Sequence, residues 1–508
     1  MRSCIDHIQM VRLPSMVPQQ FYNLLHNNDN GRVVAICLLT SVFTVMPVGY
    51  HMVVLNVPEK VIQNSISDSL SSTFGISIDK GAMSILWSVI VSCQALGALI
   101  GCSVVSPILS KYGTKSGMMT FNNFLLVIGS VAMTSSALFN FSIFLIIGRF
   151  LIGIYTGIAC ALLPLYVQQI APKEIKGSLS CFLHIAVCFG SAIGAIFSLD
   201  FMLGSQANWG YLLGLPGLLG IAQIIAAFFI PDTPNHLLQH GSYSRAISSI
   251  NFYYDIEGVD EDDAIKSYWD MVPEVPQQIT LIEGLRNKTI RKGMLLGMAV
   301  SATQIFSGSM ATVSYSSSMF TAVSFIDVLV PFLPALGSII SIIMTVPALE
   351  LVETSGRRPL LLSTLIICII SDCFLLIFSL LSVDPAETWA SWAFAVSFFL
   401  YGIGYNLGTG PVSYFIAAEL VPAEAASLSL GVAVATNWLC SLVTTFSYYP
   451  LMTLIGGWSY LLFIIPTSML LVILWIWLPE TRFYYKEDSI EAKLLQDLGQ
   501  PYGTFAVY

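Results

Sequence analysis

Charge is what this chain has least of. Only 10% of its 508 residues are Asp, Glu, Lys or Arg, against about 25% in an ordinary soluble domain. So few polar side chains cannot cover a globular surface of this size. With 55% hydrophobic residues, the composition points to a polytopic membrane protein in a lipid bilayer. Basic clusters are lacking too. The formal net charge is −9 and the Lys and Arg residues are scattered, which leaves no footprint for nucleic acid. The ten cysteines include no CxxC and lie mainly in apolar runs, so neither a disulfide framework nor a zinc site is expected. No apolar segment with a cleavage site opens the chain, and no signal peptide is expected. No nucleophile–base pair, metal cluster or phosphate loop stands out, so neither an enzyme nor a cofactor is expected.

What is there, in quantity, is long apolar runs. Stretches of the roughly 20 residues that cross a bilayer as a helix lie near 33–55, 83–109, 117–138, 141–166, 178–201 and 209–230. Six more lie near 294–320, 329–352, 359–382, 388–416, 428–452 and 458–478. The pattern predicts an all-α membrane protein of twelve transmembrane helices in two groups of six. It divides into an N-terminal segment 1–32, a bundle 33–230, a linker 231–290 of short helices, a second bundle 291–478 and a tail 479–508. With both termini cytoplasmic, 18 of the 21 Lys and Arg residues fall on the inner side; Lys60, Lys80 and Arg149 are the exceptions. That imbalance sets the expected orientation and makes 56–80 an outer loop.

The two groups repeat each other. KYGTK (111–115) matches ETSGRR (353–358), QIAP (169–172) matches ELVP (419–422), and PDTP (231–234) matches PET (479–481). Gly113 to Gln169 and Gly356 to Glu419 span 56 and 63 positions, and the next intervals are 62 and 60. Parallel six-helix repeats are the layout of transporters that rock two halves about a midplane site. The charged turns at the inner helix ends suit a gate built from Lys115, Arg149, Gln169, Lys176, Glu353, Arg357, Arg358 and Glu419. Cations there can also be mere positive-inside anchors.

One predicted span is unexpectedly polar. QIFSGSMATVSYSSSMF (304–320) holds a Gln and six serines. Polar groups are expensive against lipid. Gln304, Ser307, Gly308, Ala311, Thr312 and Tyr315 share one helical face, which can present an amide and hydroxyls to a solute.

Taken with GRFLIGIYTGIACALLPLYVQQIAPKEIKG (148–177), PDTPNHLL (231–238), ETSGRRPLLL (353–362), GTGPVSYFIAAELVP (408–422) and PETR (479–482), this segment carries a resemblance. The chain resembles the sugar porter family of the major facilitator superfamily, in particular the animal facilitative glucose transporters, over nearly its whole length. The resemblance implies a facilitator that moves a hexose or polyol by alternating access, with the plasma membrane as the default location. The family pattern QQLSGINAVFYYSTSIF places sugar-binding amides where this chain has Gln304, Ile305 and Met310, and an outer-gate tyrosine at Tyr315. By the same alignment His184 stands for a binding Gln, Asn406 for a Glu and Tyr414 for a Trp, while Trp438 is kept beside Asn437. The implied solute site is thus His51, His184, Gln304, Ile305, Met310, Tyr315, Asn406, Tyr414, Asn437 and Trp438. Several gate charges are also replaced, Gln169 and Lys176 among them. Fewer inner pairs imply a resting state open to the inside.

His51 aligns with an Asn in facilitative members and an Asp in proton-coupled ones, with Arg149 as its partner. It is either a proton site or a neutral hydrogen-bonding histidine, since an adjacent Arg opposes a second cation. A proton-coupled symporter and a non-transporting sensor therefore stand beside the facilitator. Asp372, in a predicted span, has no role in the family pattern.

Overall fold

A computed structural model describes residues 31–171, 176–254, 261–272, 279–382 and 388–481. Those residues are helical with no strand among them. The side chains of Lys176 and Glu353, and the tail beyond Thr481, lie outside the described residues.

The first half opens with α1 (Gly31–Val53), a polar helix α2 (Glu59–Phe74) and α3 (Lys80–Ser103). Gly75 ends α2 at φ 66°, a left-handed cap that glycine adopts without a steric penalty. Asp79 starts α3 by accepting from the Ala82 amide, which meets the need of an orphan first-turn donor. There follow α4 (Val105–Ser116), α5 (Asn122–Leu138), α6 (Ile143–Ile170), α7 (Lys176–Phe197), and α8 (Trp209–Gly214), which breaks at Pro216 into α9 (Pro216–Ala227). The connecting stretch carries α10 (Pro234–Gln239), α11 (Tyr243–Tyr254), α12 (Glu261–Met271) and α13 (Leu281–Arg286). A capping box between Thr280 and Glu283 begins α13.

The second half comprises α14 (Lys288–Phe306), α15 (Ser309–Ala322), α16 (Leu333–Ser355), α17 (Arg357–Leu381), α18 (Thr388–Gly404), short α19 (Gly410–Ser413) and α20 (Ile416–Glu419), α21 (Ala426–Ile455) and α22 (Leu461–Trp477). Each of the twelve predicted segments is occupied by helix. Nine helices among the described residues are long and apolar enough to cross a membrane by length and composition. The difference of three has visible causes. The segment at 178–201 counts only as a shorter apolar helix, Leu183–Phe197. Residues 426–477 run through a bend at Gly456 as one 52-residue element. The segment at 388–416 is divided by a π-helical turn over Tyr405–Thr409.

The halves are packed differently. In the first, glycines let helices touch backbone to backbone. A Cβ on Gly49 would stand 2.0 Å from the Val187 carbonyl, and one on Gly190 2.0 Å from that of Met46, joining α1 to α7. Gly97, Gly153 and Gly157 join α3 to α6 in the same way, at 2.1–2.3 Å. In the second half Gly293 does this against Leu420, but a Cβ on Gly402 or Gly431 would meet nothing within 4 Å. The halves meet where α3 packs on α21 and α7 packs on α16.

Candidate functional site

The polar face predicted for 304–320 does not belong to one straight helix. The chain breaks between α14 and α15 at Gly308, whose φ of 96° is a conformation most L side chains avoid. Ser307 and Ser309 both donate to the Gln304 carbonyl at the break, at 2.9 and 2.7 Å. They satisfy an acceptor that the interrupted helix leaves free.

Beside this break lies a cavity between the halves, with about 180 Å³ open to the centres of water molecules, room for roughly a dozen. The first half contributes Met52, Cys160, His184 and Cys188; the second contributes Gln304, Ile305, Met310, Ser341, Asn406, Tyr414, Asn437 and Trp438. The polar groups form two linked sets. Gln304 donates to the Gly410 carbonyl at 3.1 Å and accepts from Asn437 at 2.5 Å. Asn437 gives a second bond to the Ser301 carbonyl. Across the cavity, His184 Nε2 pairs with Asn406 Oδ1 at 3.3 Å. Asn406 also donates to Ser341 at 2.9 Å and to the Gly402 carbonyl. The His184 Nδ1 has no partner among the described residues. Amides, a hydroxyl and an imidazole thus face a shared space whose largely apolar wall includes Trp438, Met310 and Ile305. That combination suits a small solute with several hydroxyls and one apolar face.

Two predicted contacts are elsewhere. Tyr315 does not line the cavity. It is fully buried, donates to the Thr445 carbonyl at 2.8 Å and packs on Tyr448 and Tyr449, because the break at Gly308 resets the register of α15, so that Met310 and Thr312 line the cavity while Tyr315 faces α21. His51 is fully buried outside the cavity, edge-on to Tyr50. Arg149 donates to the His51 carbonyl at 2.7 Å.

Arg149 is not part of the linker-end gate. It sits near the start of α6, 20 residues from Gln169, or about 30 Å along the helix. At the linker end Gln169 accepts from Thr233 at 2.9 Å. Lys115 lies in the same neighbourhood, on the turn that brings Ser116 to Asp232. In the second half Arg357 faces Glu419 at 3.5 Å, and Arg358 donates to the Trp475 carbonyl at 2.6 Å. Glu480, which lies in the PET marker but was not among the predicted gate residues, accepts from the backbone N–H groups of both arginines at 2.9 and 3.0 Å. It caps the start of α17, where an anion meets free donors and the positive end of the helix dipole.

The end opposite the linker is closed by a latch that was also not foreseen. Asn56 Nδ2 donates to the Val313 carbonyl at 2.8 Å and to Ser316 at 2.7 Å, while its Oδ1 accepts from the Ser317 N–H at 2.9 Å. Glu59 accepts from Ser318, from Tyr449 at 2.5 Å and from Gln63 at 3.0 Å. Both residues lie in NVPEK (56–60), at the start of the predicted outer loop.

Comparison with known proteins agrees with this geometry. The family described as "Sugar (and other) transporter" matches residues 36–489. Mouse solute carrier family 2, facilitated glucose transporter member 7, is 27% identical over 445 residues, 86% of this chain and 85% of that protein. Human member 5 is 25% identical over 452 residues, 89% and 90% of the two chains. Among solved structures, the inward-open xylose transporter XylE of E. coli superposes with a TM-score of 0.69 at 19% identity, covering 92% of this chain and 99% of that one. The major facilitator proton:xylose symporter XylE bound to 6-bromo-6-deoxy-D-glucose gives 0.68 at 18% identity, covering 89% and 97%. These likenesses establish an all-α major facilitator fold. With the family match spanning most of its length, the chain belongs to the sugar transporter family, a family of membrane transporters and not of enzymes.

Proposed function

We propose that this protein moves a hexose or polyol across the plasma membrane by facilitated diffusion, through alternating access. The observation that carries the reading is the His184–Asn406 contact, 3.3 Å across the cavity. Each partner comes from a different half, so a solute that bonds both reads the separation of the halves directly. Residues 33–230 and 291–478 are then the moving bundles, 231–290 is the tether, and both termini face the cytoplasm, in keeping with 18 of 21 basic residues on that side. Closure by Asn56 and Glu59 at the end away from the linker fits a resting state open to the inside. The similar proteins include a facilitated glucose transporter and a xylose transporter, which supports a sugar as solute.

The competing proton-coupled reading placed the proton on His51. The Arg149 guanidinium against that residue opposes a second positive charge, and among the described residues no carboxylate bonds the His51 ring. The test is uptake of labelled glucose, fructose and a polyol by the purified protein in proteoliposomes, with and without an inward proton gradient. Saturable equilibration of one of them, with no accumulation above the outside concentration in either condition, is expected. Accumulation driven by the gradient and lost in His51→Asn overturns facilitated diffusion. No uptake of any of the three by folded protein overturns the solute class.

A further inference from the structure

The latch contains a chemical group that closing a gate does not by itself require. Glu59 begins α2, outside the membrane-spanning helices, and is only 7% exposed. It is held between the halves: Gln63 reaches it from its own helix, Ser318 from α15 and Tyr449 from α21. Of the titratable groups facing it, Lys60 is exposed on α2, and Tyr315 and Tyr449 are neutral phenols on α15 and α21. Arg149 acts on Tyr315 and makes no contact with Glu59. The carboxyl therefore sits in a closed, nearly dry pocket, with no salt-bridge partner among the described residues. When the halves part at this end, the same pocket opens to water.

We propose that Glu59 is a proton-binding site whose occupancy controls opening of the cavity on the side away from the linker. The proposal rests on the alternating-access reading above. The protonated acid is cheap to bury and keeps the latch shut. The carboxylate favours the parted state, in which it is hydrated. Burial raises the Glu59 carboxyl above its ordinary value, while hydrogen bonds from Ser318, Tyr449 and Gln63 and the charge of Lys60 pull it down. The sign follows. A carboxyl raised in the closed state stabilises closure fully below its hydrated value of 4.5, and that contribution is lost as pH rises through the raised value. The proton enters and leaves from one side, so the latch makes transport depend on pH there without carrying protons across. That is compatible with facilitated diffusion.

The experiment needs no solute. Spin labels at Asn64→Cys and Leu454→Cys, both exposed positions, report the separation of α2 from α21 in the full chain in lipid vesicles. Stepping the pH on the latch side from 5 to 8 should lower the ratio of short to long distances about tenfold, a change of about 1.4 kcal/mol. Glu59→Gln, which cannot ionise, should hold the short distance at both values. An unchanged ratio in the parent protein overturns the proposal, and this arm does not depend on how the variant folds. An equal response in Glu59→Gln also overturns it, by assigning the titration to another group. If the distances respond but none of the sugars is taken up, the latch stands and the solute assignment falls.

Discussion

Replacing Asn56 by Ala should unlatch the protein by an amount the structure lets us work out. Its side chain makes three bonds across the halves, two donated and one accepted, all between 2.7 and 2.9 Å. Two of its partners, the Val313 carbonyl and the Ser317 N–H, are four residues apart on α15. Both lie inside the continuous helix α15, so removing the amide leaves no new partner in its place. The loss is about three neutral hydrogen bonds, or roughly 1.5–4.5 kcal/mol. That shifts the closed-to-open ratio by about 10- to 2,000-fold. The assay is the rate at which an impermeant thiol reagent, added on the latch side, modifies Thr312→Cys on the cavity wall. The rate should rise by that factor in Asn56→Ala. Asn56→Asp keeps the acceptor and loses both donors, and should behave alike. A change below twofold, in protein with unaltered thermal stability, would refute the assignment of Asn56 as a latch.

Other outcomes follow from the same contacts. Asn437→Ala removes the donor 2.5 Å from Gln304; at about 1 kcal/mol for a bond facing a cavity that water can enter, solute affinity should fall about fivefold in equilibrium binding. An unchanged Kd would remove Gln304 from the site. Gly190→Val drives a side chain into the Met46 carbonyl and should cost about 1–3 kcal/mol or more, read as a lower thermal midpoint. Gly431→Ala, with open space around its Cβ, should leave that midpoint unchanged. Glu480→Gln removes the charge from the cap of α17 and should destabilise by about 0.5–2 kcal/mol, less at high salt.

Much of the site could be read from the sequence because lipid enforces a simple rule. A polar side chain within a long apolar run must face protein or water. Gln304, His184, Asn406 and Asn437 broke their runs, and the structure brings all four to one cavity. The rule says nothing of direction along a bent helix, and there the reading went astray. A continuous wheel through 304–315 put Tyr315 with Gln304, but the left-handed residue at Gly308 separates them. Arg149 was assigned to the gate from the company it keeps in the family pattern, although it stands at the other end of α6. The latch was missed for the opposite reason. Asn56 and Glu59 lie in a segment polar enough to pass for an ordinary loop, and only folding reveals that α15 and α21 bury them. Glu480 was overlooked because a carboxylate after an apolar run looks like a solvated end until the start of α17 is seen beside it.

The uneven use of glycine in the two bundles has a mechanical consequence. Backbones pressed against one another at Gly49, Gly97, Gly153, Gly157 and Gly190 leave α1, α3, α6 and α7 no slack, so those helices deform little under load. The other bundle holds the break at Gly308, the π-helical turn at Tyr405–Thr409 and the bend at Gly456, and a Cβ on its Gly402 or Gly431 would find open space; the first bundle's own π-helical turns, Gly117–Phe121 and Asp200–Gly204, lie away from those five glycine contacts. Helices pressed together at their backbones have less room to bend than helices already broken, so flexing within a half is expected first at Gly308 and Gly456 rather than where α1 meets α7 or α3 meets α6.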